Sequence, residues 1–152
     1  MKLAEALILR SDLQKRFNEL KNRIINNVMV QEGTDPVEHP RDLVPEAVIA
    51  SNELCQLIKA INFTNGVTKL ENGMTLMEAI TERDRLKTLH ELYSSVANAA
   101  TSNTSRYSLS EIRNVSTINA VDFRQDADAI AKAFRELDTK IQATNWNTDL
   151  IN

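Results

Sequence analysis

The chain has 152 residues, a net charge of −3 and a pI near 5.4, so its charge gives no reason to expect a nucleic-acid partner. Three glycines and three prolines allow few turns, which favours long helices over a many-stranded sandwich. One cysteine excludes an intramolecular disulfide and a multi-cysteine zinc site. The apolar runs are too short for a membrane-spanning helix or for the core of a signal peptide. We therefore predict a cytoplasmic protein without stable membrane insertion.

Four segments repeat apolar residues at alternating steps of three and four, the period of an amphipathic helix. Thr75 and Glu78 form the Ser/Thr-x-x-Glu pattern of a helix start, and Pro45 suits the first turn of the second helix. Because the 3–4 spacing also favours coiled-coil-like packing, we expect one mainly α domain over residues 1–152, a four-helix antiparallel bundle. The predicted helices cover about residues 2–30, 45–62, 75–101 and 121–145.

A small β element is predicted beside the helices. Asn-Gly pairs at 65–66 and 72–73 bracket VTKL, residues 67–70, as turns bracket a short strand. In EIRNVSTI, residues 111–118, apolar and polar side chains alternate as in a half-buried strand. We therefore expect a hairpin or ladder that pairs about 67–70 with 111–118.

The third predicted helix holds the residues nearest to a catalytic or metal site. Glu78 and Glu82 lie four residues apart, the spacing of two metal ligands on one helix face, and Asp84 and His90 follow. No Glu-x-x-His motif accompanies them, as a carboxylate di-metal bundle requires, and Glu82 beside Arg83 also fits an ordinary ion pair. The sequence assigns no catalytic residue and predicts no metal site; the candidates are Glu82, Asp84 and His90 for catalysis and Glu78 and Glu82 for a metal ion. No cofactor is predicted.

The last predicted helix carries a regular apolar stripe that leads to the only tryptophan, Trp146. Phe134, Leu137 and Ile141 belong to this stripe. A tryptophan that anchors an interface buries a large area, although Trp146 also fits an extension of the packed stripe. We expect these four residues at a subunit or helix-pair boundary of a homo-oligomer. The sequence identifies no other protein partner.

Four stretches together resemble the septicolysin-like family of small bacterial proteins. They are MKLAEALILRSDLQKR, TLMEAITERD, RYSLSEIRNVSTI and RELDTKIQATNW, in the same order along nearly the whole chain. The resemblance implies bacterial origin and a helical fold, and the family name implies a haemolysin-like toxin. It brings no catalytic residues with it.

Three functions remain open at this point. The leading hypothesis is a non-enzymatic oligomeric helical scaffold or interaction protein, whose biochemical activity is unknown. The first alternative is a small metal- or ligand-dependent enzyme that uses the carboxylates of the third helix. The second is the haemolysin-like toxin, which the narrow apolar stripes support poorly because a pore-former needs segments that face lipid.

Overall fold

The computed structural model describes residues 1–102 and 112–151. Within these ranges the fold is mainly α, as predicted. None of the helices in the described ranges has the length and apolar character needed to cross a membrane. The helices are α1 Leu3–Asn26, α2 Pro40–Val67, α3 Leu76–Thr101 and α4 Ala120–Asn147.

The chain divides into two compact units. The terminal unit contains Met1–Lys69 together with Gln142–Asn152, and the central unit contains Leu70–Ile141. Helix α4 therefore contributes residues to both units. The single domain over residues 1–152 and the coiled-coil-like packing both stay predictions.

In the terminal unit α1 and α2 form an antiparallel pair around a small apolar core. Leu20 of α1 packs against three residues of α2, namely Leu43, Ala47 and Ala50. Removing a leucine side chain of this kind from water is worth about 1.5–3 kcal/mol. The core is completed by two half-buried side chains of α1, Phe17 and Ile24.

The two ends of the described chain pair with each other in the terminal unit. The amide of Leu3 donates to the carbonyl of Thr148 at 2.9 Å, and Leu150 donates to Met1 at 2.9 Å. These bonds flank an antiparallel bridge and a 2.9 Å ion pair between Lys2 and Asp149. We call this pairing of residues 1–3 with residues 148–151 the terminal clasp.

Thr64 of α2 attaches the terminal clasp to the helix pair. Its side chain is fully buried, and its hydroxyl donates to the carbonyl of Ala60 at 2.8 Å. The same hydroxyl oxygen accepts a 3.0 Å bond from the amide of Ile151. Since both of its hydrogen-bonding functions are used, the buried hydroxyl stabilises the C-terminal segment against α2.

Several helix ends differ from the prediction, and at two of them a side chain that bonds to the backbone explains the difference. Helix α1 ends at Asn26 rather than near residue 30, where the Asn27 amide group donates to the carbonyl of Arg23 at 2.9 Å. Such local bonds compete with the helical ladder. The same Asn27 side chain accepts a 3.3 Å bond from the amide of Glu38 and so orients the loop that follows.

Helix α2 begins five residues before the predicted start. His39 is its N-cap, with ring nitrogen Nδ1 accepting a 3.3 Å bond from the amide of Arg41. Pro40 occupies the first helical position, where a missing N–H has no effect on the ladder. Pro45, which we predicted in the first turn, therefore lies inside the helix.

The predicted β element is wrong. Helix α2 continues through Gly66 to Val67, so the first Asn-Gly pair forms no turn and VTKL begins inside a helix. Residues 112–118 form no strand, and Ser116 there bonds to the backbone of Ile118. Residue 111 lies outside the described ranges. The second Asn-Gly pair does form a turn, in which Gly73 has a φ of 86° that favours glycine.

In the central unit α3 and α4 run antiparallel. Asp138, late on α4, pairs with Arg83, early on α3, and the rings of Tyr93 and Phe123 lie 5.5 Å apart. Helix α3 begins with a capping box in which the side chains and amides of Thr75 and Glu78 bond reciprocally. These contacts fix which turns of α3 and α4 face each other.

Candidate functional site

The carboxylates proposed for chemistry on α3 are each engaged by a neighbour. Glu78 accepts bonds of 2.8 and 2.9 Å from the amide and hydroxyl of Thr75. The carboxylate of Glu82 accepts hydrogen bonds of 2.8 and 2.7 Å from Nε and Nη2 of Arg85, and these bonds lower the pKa of Glu82. A metal ion at this helix face would have to displace Arg85 from Glu82.

Arg83 forms an ion pair with Asp84 and also links α3 to α4. Its guanidinium donates to Asp84 at 3.0 and 3.2 Å and to Asp138 at 3.2 Å. Partial burial lowers the pKa of Arg83, but the bonds to both carboxylates raise it by more, so this side chain stays charged. Over residues 1–102 and 112–151, no three His, Cys, Asp or Glu side chains gather where they could hold a metal ion. The catalytic and metal roles of these carboxylates stay predictions.

His90 lies away from those pairs, in a cleft of about 250 Å³ between α3 and α4 of the central unit. Lys87 and His90 line it from α3, and Arg135 lines it from α4. Ala131 and Phe134 give it an apolar wall. We call these five residues the cationic cleft. Sequence reasoning missed Lys87 and Arg135, although the spacing of Lys87 and His90 already puts them on one helix face.

A second concave surface, of about 370 Å³, lies in the terminal unit where the last turn of α4 meets the first turns of α1. Trp146 and Ile8 are both half exposed there, at 54% and 55%. Asp12 and Lys15 also line it and form an ion pair of 3.8 Å. We call this surface the terminal groove. Its other lining residues are Ala4, Leu7, Ser11 and Gln142.

The four predicted interface residues differ in exposure. Ile141 is buried, Phe134 and Leu137 are half-buried, and Trp146 is exposed. Helical geometry explains the last contrast, because Asn145 is buried and Trp146 lies about 100° further round the helix. Trp146 therefore does not extend the packed stripe. The place of these residues at a subunit boundary stays a prediction.

Helix α2 also presents apolar side chains to solvent, a feature that sequence reasoning missed. Val44, Val48, Ile49 and Phe63 are all exposed. Val44 and Val48 directly follow the buried Leu43 and Ala47 in sequence, so they lie one helical step outside the core face. We call these four residues the outer face of α2.

Comparisons with known proteins identify the family of the chain but no activity. The chain is 42% identical to a functionally unknown conserved protein from Corynebacterium diphtheriae, whose crystal structure it matches with a TM-score of 0.93 over 99% of both chains. No protein of curated function matches. The sequence model of a family of unknown function, DUF6847, matches residues 10–150. The resemblance to the septicolysin-like family is therefore wrong, and the toxin function that rested on its name has no support.

Proposed function

The chain belongs to the family of unknown function DUF6847, and on that premise we propose that it is a non-enzymatic helical protein that self-associates through the terminal groove. The observation that carries the proposal is the exposure of Trp146 beside Ile8 in a concave surface. Single exposed apolar residues are ordinary, but a tryptophan and an isoleucine that share one groove form a patch. Such patches are typical of protein interfaces.

The occupant that best fits the terminal groove is a second copy of the same chain. In a two-fold dimer both copies use the same surface patch, so that patch must be complementary to itself. The groove is lined by apolar side chains together with one acid and one base, Asp12 and Lys15. The lysine of one copy can then face the aspartate of the other.

The energetic centre of this interface would be Trp146. A tryptophan side chain buries roughly 150–250 Å² when it is fully covered, and about half of the residue is exposed in the single chain. Tryptophans at the middle of an interface commonly cost about 2 kcal/mol or more when truncated, which is roughly a thirtyfold loss of affinity.

The test uses the tryptophan itself, since it is the only one in the chain. Sedimentation and acrylamide quenching of Trp146 fluorescence are followed over a dilution series of the purified protein. We expect a dimer whose tryptophan becomes more accessible to quencher as the dimer dissociates. A monomer at every concentration, or a dimer whose tryptophan stays equally accessible throughout, contradicts the proposal.

Two aspartate substitutions locate the interface. Ile8→Asp should abolish the dimer because it places a charge in the groove, and it leaves the fluorescent probe intact. The matched control is Val48→Asp on the outer face of α2, where the valine is 52% exposed compared with 55% for Ile8. If Val48→Asp dissociates the dimer and Ile8→Asp does not, the groove is not the interface.

A further inference from the structure

We propose that the cationic cleft of the central unit binds a small organic anion, a carboxylate carried on a planar apolar body. This inference is independent of self-association through the terminal unit. It rests on three observations: the basic side chains that converge on one cleft, their lack of acidic partners, and the apolar wall between them.

The basic side chains converge because of the register of α3 and α4. Lys87 and His90 lie three residues apart on α3, so both project from one face. The Arg83–Asp138 pair fixes α4 beside α3 one turn away, and Arg135 lies three residues before Asp138. A lysine, a histidine and an arginine from two helices therefore line the same opening.

Lys87, His90 and Arg135 differ from most other basic residues of the central unit in having no partner. Arg83, Arg85 and Lys132 each pair with a carboxylate. Throughout the described residues, no side-chain hydrogen bond or ion pair engages Lys87, His90 or Arg135. Their donors remain available to an anion, and a guanidinium can hold both oxygens of a carboxylate at once.

The wall of the cleft selects the rest of the ligand. Phe134 and Ala131 offer little but carbon, so a purely ionic ligand would leave this surface uncovered. The ring of Phe134 can stack on a flat apolar body, a contact that adds to the effect of the area it buries. A volume near 250 Å³ is smaller than the usual 300–1,000 Å³ of drug-sized sites, which favours a single ring or a short branched acyl group.

The experiment titrates the full chain with benzoate and follows backbone amide and His90 ring signals by NMR. We expect saturable shifts at residues of the cationic cleft. Benzyl alcohol, which keeps the ring and loses the charge, should bind roughly tenfold more weakly or worse, because a charge-assisted pair is lost. Inorganic phosphate should also bind more weakly, and phosphate as tight as benzoate would overturn the role of the apolar wall.

The arginine supplies the sharpest variant. Arg135→Gln should weaken benzoate roughly tenfold or more, whereas Arg113→Gln, an exposed arginine of the same unit outside the cleft, should leave affinity unchanged. Equal thermal midpoints of both variants without ligand establish that the fold is intact. Absence of saturable shifts in the natural protein at millimolar benzoate, or full affinity in Arg135→Gln, would sink the proposal.

Discussion

Both units pair their helices through apolar side chains, but they differ in how deeply their polar contacts are buried. In the terminal unit a buried leucine packs on two alanines, and a fully buried threonine hydroxyl attaches the C-terminal segment. In the central unit Arg83 with Asp138, whose side chains are 25% and 34% exposed, is one of the polar links between α3 and α4. Because water competes for exposed charges, the buried hydroxyl of Thr64 should contribute more to stability than the Arg83–Asp138 pair.

The two units also differ in the kind of side chain that they expose to solvent. The terminal unit exposes Trp146, Ile8 and the outer face of α2, which are suited to another protein surface. The central unit exposes unpaired basic side chains around a small apolar wall, which are suited to a small anion. We therefore propose a different kind of recognition for each unit of the 152-residue chain.

The largest expected effect is in the core of the terminal unit. Leu20→Ala should reduce the free energy of unfolding by about 2–5 kcal/mol, because it leaves a cavity among Leu43, Ala47 and Ala50. Urea unfolding followed by circular dichroism measures the loss. The control is Leu92→Ala in the central unit, an exposed leucine whose truncation should change stability by about 0.5 kcal/mol or less. Equal losses in the two variants would contradict this assignment of the core.

The next effect tests the buried hydroxyl. Thr64→Val keeps the shape of the side chain but leaves the Ile151 amide without its acceptor, so it should cost about 1–3 kcal/mol. Thr81→Val is the matched control, since the Thr81 hydroxyl is exposed and bonds only to the carbonyl of Met77. Hydrogen exchange at Ile151 should accelerate in Thr64→Val alone. Unchanged exchange there would show that the clasp does not need the hydroxyl.

A smaller effect is expected at the link of the central unit. Asp138→Asn should cost about 1 kcal/mol or less, because Arg83 keeps its bonds to Asp84 and the pair is partly exposed. A double-mutant cycle with Arg83→Met isolates the pair and should weaken further in 1 M salt, where charges are screened within about 3 Å. A coupling free energy several times larger would mean that the central unit depends on this ion pair as strongly as the terminal unit depends on Leu20.

The smallest effect concerns acid. Hydrogen bonding from Lys2 lowers the pKa of Asp149 below its usual 3.8, and bonding from Arg23 lowers that of Glu38 below 4.5. Each carboxylate therefore stabilises the fold fully above those ordinary values, and the contribution disappears as the pH falls through the lowered pKa. Melting temperatures between pH 6 and 3 should fall less steeply in Asp149→Asn. Asp126→Asn, at an exposed aspartate outside any ion pair of the described residues, should follow the natural protein.

The sequence predicts the helices well because their stripes repeat over many turns, and predicts their ends poorly. Which residue ends a helix depends on single bonds, such as Asn27 to the carbonyl of Arg23 or Arg41 to the ring of His39. Gly66 illustrates the same limit. An Asn-Gly pair favours a turn, but the final turn of α2 absorbs it where the amide of Thr68 bonds to the carbonyl of Thr64.

The sites follow the same division. His90, Phe134 and Trp146 stood out in the sequence by residue type and spacing, and all three line concave surfaces. That Phe134 and His90 share a cleft with Arg135 could not be predicted, because it depends on the register of α3 against α4. Arg83 and Asp138, which help to set that register, lie 55 positions apart in the sequence. Likewise, the sequence does not show that Glu82 forms its ion pair with Arg85.

The terminal clasp also imposes an order on folding during synthesis. The central unit is one continuous stretch, Leu70–Ile141, and can form as soon as that stretch has left the ribosome. The terminal unit cannot be completed then, because the partners of Leu3 and Thr64 are Thr148 and Ile151. Closing contacts so distant in sequence is slow. Helices α1 and α2 can already pack around Leu20 at that stage, but residues 1–3 and the hydroxyl of Thr64 gain their last partners only after residue 151 has been made, so the clasp is the late step of folding.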